Sequence, residues 1–191
     1  MNMKIVSPEF FEKSTLETAR RLLGKYIAAG DFLGKIAETE AYLKDDSASH
    51  SFRGKTPRNS AMFGPPGRAY VYFTYGMHHC FNIVTNKEET GEAVLIRAVE
   101  PIKGIEMMKR NRKMKDAKDL CNGPAKFTQA FGISKKDNGL NLLDKKSGIK
   151  LMEGDESEKF DIVEAKRIGI KNNQELNYRF YIKNNEFVSR G

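Results

Sequence analysis

The chain has 191 residues, enough for one domain spanning 1–191 with a substantial buried core. Hydrophobic residues make up 39% and charged residues 30%. That balance excludes a disordered chain, and no window approaches a membrane span. The net charge of +8 and a pI near 9.4 favour polyanionic partners: DNA, RNA or an anionic membrane surface. Cys80 and Cys121 lie far apart and match no zinc spacing, so reduced thiols in a cytosolic protein are expected. No apolar run follows Lys4, so no signal peptide is expected.

Ser14-Thr-Leu-Glu17 reads as a capping box opening a short helix through Arg21, with Leu16, Ala19, Leu22 and Leu23 inward and Gly24 as terminator. Strand-like alternation covers Lys25 to Ala29 and Phe32 to Tyr42 around a Gly30-Asp31 turn. In the second strand Ile36, Glu38 and Glu40 are expected on one face, with Ala37, Thr39 and Ala41 on the other. Residues 43–68 form a long polar loop rich in Gly and Pro, of a kind that is often functional.

A hairpin follows, Arg68 to Val84 turning at Gly76, in which Tyr70 and Tyr72 share one face while Val71 and Phe73 point to the core. Ala93 to Val99 is a buried strand. Pro101 suits the first turn of a helix reaching about Lys115, with Ile102, Ile105 and Met108 on one face. Pro124 to Phe131 is a second helix, ended by Gly132, and the remainder reads as short strands and loops. The mixed order predicts an α+β fold.

Several groups could carry chemistry. Glu38 and Glu40 on one strand face lie about 7 Å apart and could divide acid and base roles, or form a solvated face. Arg97 sits in the most apolar strand and needs an anionic partner. Glu40 would make it functional and Glu100 structural, and the sequence leaves both open. His50 is either a surface residue or a ring that stacks on a base. His78-His79-Cys80 alternate across a strand and cannot easily converge, so no metal site is expected. Lys109-Arg-Asn-Arg-Lys-Met-Lys115 and Lys55-Thr-Pro-Arg58 are basic runs, solvated or facing phosphate. Gly123-Pro-Ala-Lys126 opens a helix where free N–H groups could hold a phosphate. Tyr75, beside the turn glycine, has little core to enter.

These motifs in register closely resemble one family. Glu38-Thr-Glu-Ala-Tyr42, His50-Ser51, Lys55-Thr-Pro-Arg-Asn59, Met62-Phe63, Tyr70-Val-Tyr72 and Tyr75-Gly-Met77 are similar to those of the alkyladenine (3-methyladenine) DNA glycosylases. Cys80-Phe-Asn82, Arg97-Ala-Val-Glu-Pro101, Cys121-Asn-Gly-Pro-Ala-Lys126 and Ala165-Lys-Arg-Ile-Gly169 extend the match from about Pro8 to Val188. The resemblance implies a single α+β domain with a curved antiparallel sheet, surrounding helices and a protruding β-hairpin. It implies a monofunctional, monomeric enzyme without metal or cofactor, with no membrane partner. Such an enzyme acts in the cytoplasm, at the nucleoid in a bacterium. It flips damaged purines out of double-stranded DNA and hydrolyses the N-glycosidic bond. 3-Methyladenine and 7-methylguanine are implied substrates, with hypoxanthine and ethenoadenine as further candidates.

Carried over by motif, Glu40 is the general base and Arg97 positions it and the water. Tyr42, His50, Tyr72, Asn82 and Cys80 line the base pocket, and Asn82 discriminates against guanine. Tyr75 is the wedge that fills the duplex, with Met77 and His78 beside it. Thr56, Arg58, Lys126 and Arg167 fall on backbone-contacting positions. A non-catalytic nucleic-acid-binding module would share the basic and aromatic surface and release no base.

Overall fold

Three α-helices, four short 3-10 helices and eight strands build the regular structure of residues 3–74, 76–155 and 157–189, which the computed structural model describes. The strands are β1 (Tyr26–Ala29), β2 (Phe32–Tyr42), β3 (Ala69–Thr74), β4 (His78–Thr85), β5 (Glu92–Lys103), β6 (Ile149–Met152), β7 (Ile162–Ala165) and β8 (Arg179–Ile182). The α-helices are α1 (Thr15–Arg21), α2 (Ile105–Arg112) and α3 (Pro124–Phe131). Each strand pairing is antiparallel, in the order β3-β4-β5-β2-β1-β6, and the sheet curls into a half-barrel. This is the α+β arrangement expected. Among the described residues no helix is long and apolar enough to cross a membrane.

β2 is the axis of the sheet. One edge pairs along its length with β5. The other edge is shared: β1 covers Phe32 to Lys35 and β8 covers Glu38 to Glu40. The fork coincides with two offset irregularities. Ile36 faces Val99 and Glu38 faces Ala98, which leaves Ala37 unopposed; Thr39 then faces Ile96, which leaves Arg97 unopposed. A bulge re-aims side chains and shifts the period of two. Ile36 therefore joins the main core with Ala41, while Glu38 and Glu40 turn to the opposite side. Simple alternation had placed Ile36 with the two glutamates, and the bulge is the reason it is not there.

The stretch after β5 departs from expectation too. β5 runs through Pro101 to Lys103, and α2 begins only at Ile105. Proline lacks a ladder donor, so it is tolerated where pairing is irregular or one-sided. Pro101 sits opposite Gly34, at a register shift with β2, and beyond the reach of β4, whose pairing with β5 covers Glu92 to Leu95. Ile102 is consequently exposed, and Gly104, with φ 86°, turns the chain into the helix.

α3 matches its reading from Pro124 to the left-handed Gly132. It packs Phe127, Ala130 and Phe131 on β4 and β5, with Phe127 edge-on to Phe81 at 6.0 Å and to Phe131 at 4.8 Å. At α1 the Ser14 hydroxyl accepts from the Glu17 N–H at 3.3 Å, one of the two bonds of a capping box.

Candidate active site

Opposed residues of an antiparallel pair share a face. In the β3–β4 ribbon that puts Tyr70 with Asn82, Tyr72 with Cys80 and Thr74 with His78 on one side. A cavity of about 490 Å³ opens on this side. Tyr70, Tyr72, Thr74, Cys80 and Asn82 form one wall, Leu95 and Arg97 of β5 the floor, Tyr42 and His50 a second wall. The segment Ile168 to Asn172 closes the third.

The aromatic lining is held by its own contacts. The Tyr70 hydroxyl and His50 Nδ1 share a hydrogen bond of 2.8 Å. The His50 ring stands edge-on to Tyr72 at 4.5 Å, and Tyr72 lies against Tyr70 at 5.5 Å. Burial holds the Tyr70 hydroxyl up at about 12 and pushes Tyr72 up as well. Burial, with Arg58 nearby, lowers His50 and favours the neutral ring. Asn82 donates from Nδ2 to the Tyr70 carbonyl at 3.0 Å, which fixes its amide in the wall. Cys80 is buried beside the Tyr72 hydroxyl, and burial raises its thiol.

Glu40 lies directly under the floor with no exposed surface. Its Oε1 accepts from the Ile168 N–H at 2.8 Å and meets Arg97 Nη1 at 3.2 Å; Oε2 accepts from the Tyr42 hydroxyl at 2.8 Å. Burial pushes the Glu40 carboxyl up, against the opposing pull of Arg97, the Ile168 N–H and Tyr42. The Arg97 question is thereby answered: it pairs with Glu40 and Glu38, whereas Glu100 pairs with Lys35 at 3.2 Å. Burial alone would lower the Arg97 guanidinium, but Glu40 and Glu38 outweigh it and raise it. A raised carboxylate under an aromatic cavity, reached through Tyr42 and Arg97, is chemically equipped to accept a proton.

The outlying residues divide. Met77 is 71% exposed at the hairpin end, and His78 is half-buried at the cavity side. Thr56 and Arg58 are exposed on the long loop, with Thr56 tied to Asn59 and Arg58 Nη2 donating to the Phe73 carbonyl at 3.4 Å. Lys126 is half-buried, and its Nζ donates to Asn122 Oδ1 at 2.7 Å. Tyr75, the expected wedge, lies outside the described residues.

Two placements are corrections. Phe73 is exposed against the expectation of a core position, because the hairpin outruns the core beneath it. Arg167, expected at the DNA backbone, has a fully buried side chain. Its Nη1 donates to Asp46 and to the Ala41 carbonyl at 3.0 Å, and its guanidinium lies 4.8 Å from the Tyr42 ring centre. Arg167 thus fastens the 166–173 segment to the loop after β2.

Several site residues escaped the sequence reading. Asp46 and Asn173 pair at 2.7 Å and Asn172 donates to the Ser47 carbonyl at 3.4 Å, so two cavity walls are sewn together by loop residues that carry no pattern. Arg179 and Ser189 converge on Glu38 from more than a hundred residues away. Arg179 lies in an alternating stretch, Arg-Phe-Tyr-Ile, where an inward arginine could have been noticed. Among the described residues no cluster of three or more His, Cys, Asp or Glu could hold a metal ion.

The family model described as methylpurine-DNA glycosylase matches residues 9–186. A protein of Francisella tularensis subsp. tularensis is 52% identical, with 92% of this chain and 94% of the relative covered. One from Carboxydothermus hydrogenoformans is 50% identical over 95% and 97% of the two chains, and one from Burkholderia cenocepacia 44% over 97% and 91%. All three carry the name "Putative 3-methyladenine DNA glycosylase".

Proposed function

This chain belongs to the methylpurine-DNA glycosylase family, and we propose that it hydrolyses the N-glycosidic bond of alkylated purines flipped from duplex DNA, with Glu40 as general base. The observation that carries this reading is Glu40 itself: a buried carboxylate, raised by its surroundings, gripped by Arg97 beneath a cavity walled with tyrosines and histidine.

In this reading the flipped base stacks among Tyr42, His50 and Tyr72, and Tyr75 with Met77 occupies the gap left in the duplex. Extrusion costs a few kcal/mol, and base–aromatic stacking of roughly 1–3 kcal/mol per ring offsets it. A 3-alkylated adenine is cationic and is attracted to the electron-rich ring faces. Water enters between Tyr42 and Arg97. Glu40 takes one proton from it, the oxygen bonds to C1′, and the N-glycosidic electron pair leaves with the base. The sugar passes through an oxocarbenium-like state that the Glu40 charge also stabilises. Asn82, fixed by its bond to the Tyr70 carbonyl, stands against the exocyclic amino group of guanine.

Glu40→Gln tests the assignment on a duplex carrying 3-methyladenine. Base release should fall by about 10²–10⁴-fold, the range for loss of a general base, while lesion-duplex binding persists. Release at a near-native rate would remove Glu40 from the chemistry. A wild-type protein that binds the duplex and frees no base would leave only a binding module.

A further inference from the structure

Glu38 is the buried carboxylate that the proposed chemistry leaves unused. Its Oε1 accepts from Arg97 Nε at 3.1 Å, Arg179 Nη1 at 2.9 Å and the Ser189 hydroxyl at 2.8 Å. Its Oε2 accepts from the Ser189 N–H at 2.8 Å. A carboxylate has about four acceptor sites, two on each oxygen, so Oε1 is saturated and Oε2 is held by the Ser189 N–H. Like Glu40 it has no exposed surface, but its partners Arg179 and Ser189 do not line the cavity, whereas Tyr42, Arg97 and Ile168 around Glu40 all do. The division of acid and base roles that its spacing from Glu40 allowed is therefore closed to it.

The same contacts form a row of alternating charge. Arg179 meets Glu38, Glu38 meets Arg97, and Arg97 meets Glu40 at 3.2 Å. Their side chains are 14%, 0%, 8% and 0% exposed. Three strands contribute: β2 supplies both carboxylates, β5 the central arginine from its bulge, and β8 the outer one. Two positive and two negative groups make the row neutral, the condition under which charges can be buried together. Arg97 is held at its Nε edge by Glu38 and at Nη2 by the Ser189 hydroxyl at 3.3 Å, which leaves Nη1 aimed at Glu40.

We propose that Glu38 and Arg179 are positioning residues of the glycosylase, which orient Arg97 and set how much of its charge reaches Glu40. The inference rests on the proposed role of Glu40. It makes a signed prediction, because the two residues sit on opposite sides of the balance. Removing the Glu38 charge leaves two arginines against one carboxylate. Arg97 then serves Glu40 alone, and Glu40 becomes a weaker base that ionises at lower pH. Removing the Arg179 charge leaves two carboxylates sharing Arg97, and Glu40 ionises at higher pH. Other groups facing Glu40 stay in place in both variants: Tyr42 on its own strand, Cys80 on β4, and the Ile168 N–H, with Arg167 behind Tyr42.

The experiment is the pH dependence of single-turnover base release from a methylated duplex by wild type, Glu38→Gln and Arg179→Met. The acid limb should move to lower pH in Glu38→Gln and to higher pH in Arg179→Met, each by about half a unit or more. The maximal rate of Glu38→Gln should fall about tenfold with duplex affinity unchanged. Overlaid profiles, or shifts in the same direction, would overturn the proposal, since a purely structural role lowers the melting temperature and leaves the limb where it was. Should Glu38→Gln fail to fold, Arg179→Met decides alone: an upward shift supports the charge row, and none or a downward one refutes it. Inactivity of the wild type would refute the proposed reaction instead. NMR titration of the Glu40 carboxyl carbon would then read the same opposite shifts without turnover.

Discussion

At the base of the β3–β4 hairpin Tyr70 and Phe81 are 1% and 0% exposed, whereas towards its tip Phe73 is 47% and Met77 71% exposed. Large apolar side chains occur in both regions. What differs is the support. At the base, α3 covers one face, the Tyr42–His50 wall the other, and β5 pairs along the β4 edge. Beyond them the ribbon continues with its last tie to α3 at the Thr128 hydroxyl, which donates to the His79 carbonyl at 2.8 Å. Burial is thus decided by the neighbours the fold provides, and a pattern of apolar residues marks a core only where those neighbours reach. If this contrast holds, changes around the pocket should alter stability and chemistry, and changes at the tip should alter duplex binding alone.

The largest effect is expected from Asp46→Ala in the pocket wall. Among the described residues Arg167 Nε and Nη2 have no hydrogen-bond partner, and Asp46 is the anion that neutralises the buried guanidinium. Breaking a buried pair from one side costs about 3–5 kcal/mol, which urea or thermal unfolding would register. A loss below about 1 kcal/mol, the level of a surface ion pair, would mean that water screens the pair and that the wall is not part of the interior. The pH dependence of this contribution has a definite sign. Burial alone would raise Asp46, but Arg167, the Ala48 N–H and Asn173 together hold it below its ordinary value. Its stabilisation is therefore present above its unfolded value and is lost as the pH falls through its folded one.

Tyr75→Ser should weaken lesion-duplex binding by about 1–3 kcal/mol, the range for losing one base–aromatic contact, and Met77→Ser at the tip should weaken it by less. Melting temperatures should stay at the wild-type value. A melting temperature that drops while affinity holds would place these residues in the core and erase the contrast between base and tip.

Glu40 sharpens the pocket side of the comparison. Its raised carboxyl means that the acid limb of base release should lie above 4.5, the ordinary glutamate value, with each unit worth about 1.4 kcal/mol. Stability runs the other way. The folded protein holds this proton to higher pH than the unfolded chain does. The Glu40 contribution is therefore complete below the unfolded value and is lost as the pH rises through the folded one. Activity should appear over the same interval in which that contribution is surrendered. An acid limb at or below 4.5 would mean that Arg97 and the Ile168 N–H outweigh burial.

The legibility of the sequence follows these physical divisions. β2 was readable to its ends because alternation and a Gly-Asp turn are local signals, and α3 because proline and glycine bracket it. The motif match brought out Glu40, Arg97, Tyr42, His50, Tyr72, Asn82 and Cys80, which the structure gathers at one cavity and its floor. Bulges are not local. Whether Ile36 lies with Glu38 depends on β5 leaving Ala37 unopposed in the pairing, and nothing in residues 32–42 encodes that. Pro101 differs from its expected place for a related reason, since a helix-starting proline and a proline at an irregular strand pairing look alike until the partner strand is known. Arg167 looked like a surface cation because its anion, Asp46, is more than a hundred residues away in a loop without pattern.

Phe73 gives the smallest and cleanest test. Among the described residues its ring has one aromatic neighbour, His79, at 5.0 Å, and it sits on the face of the ribbon opposite the cavity. The position two residues earlier on that face, Val71, is buried in the core. A shift of one strand repeat therefore separates a residue that packs from one that does not. Phe73→Ser should change stability by no more than about 0.5 kcal/mol, as for surface substitutions, whereas Phe81→Ala, beside the same core, should cost about 3–5 kcal/mol. The pair of melts measures where the core stops along one ribbon. If Phe73→Ser costs as much as Phe81→Ala, the ring is packed in solution, the tip is an extension of the core, and the wedge must be sought outside this hairpin.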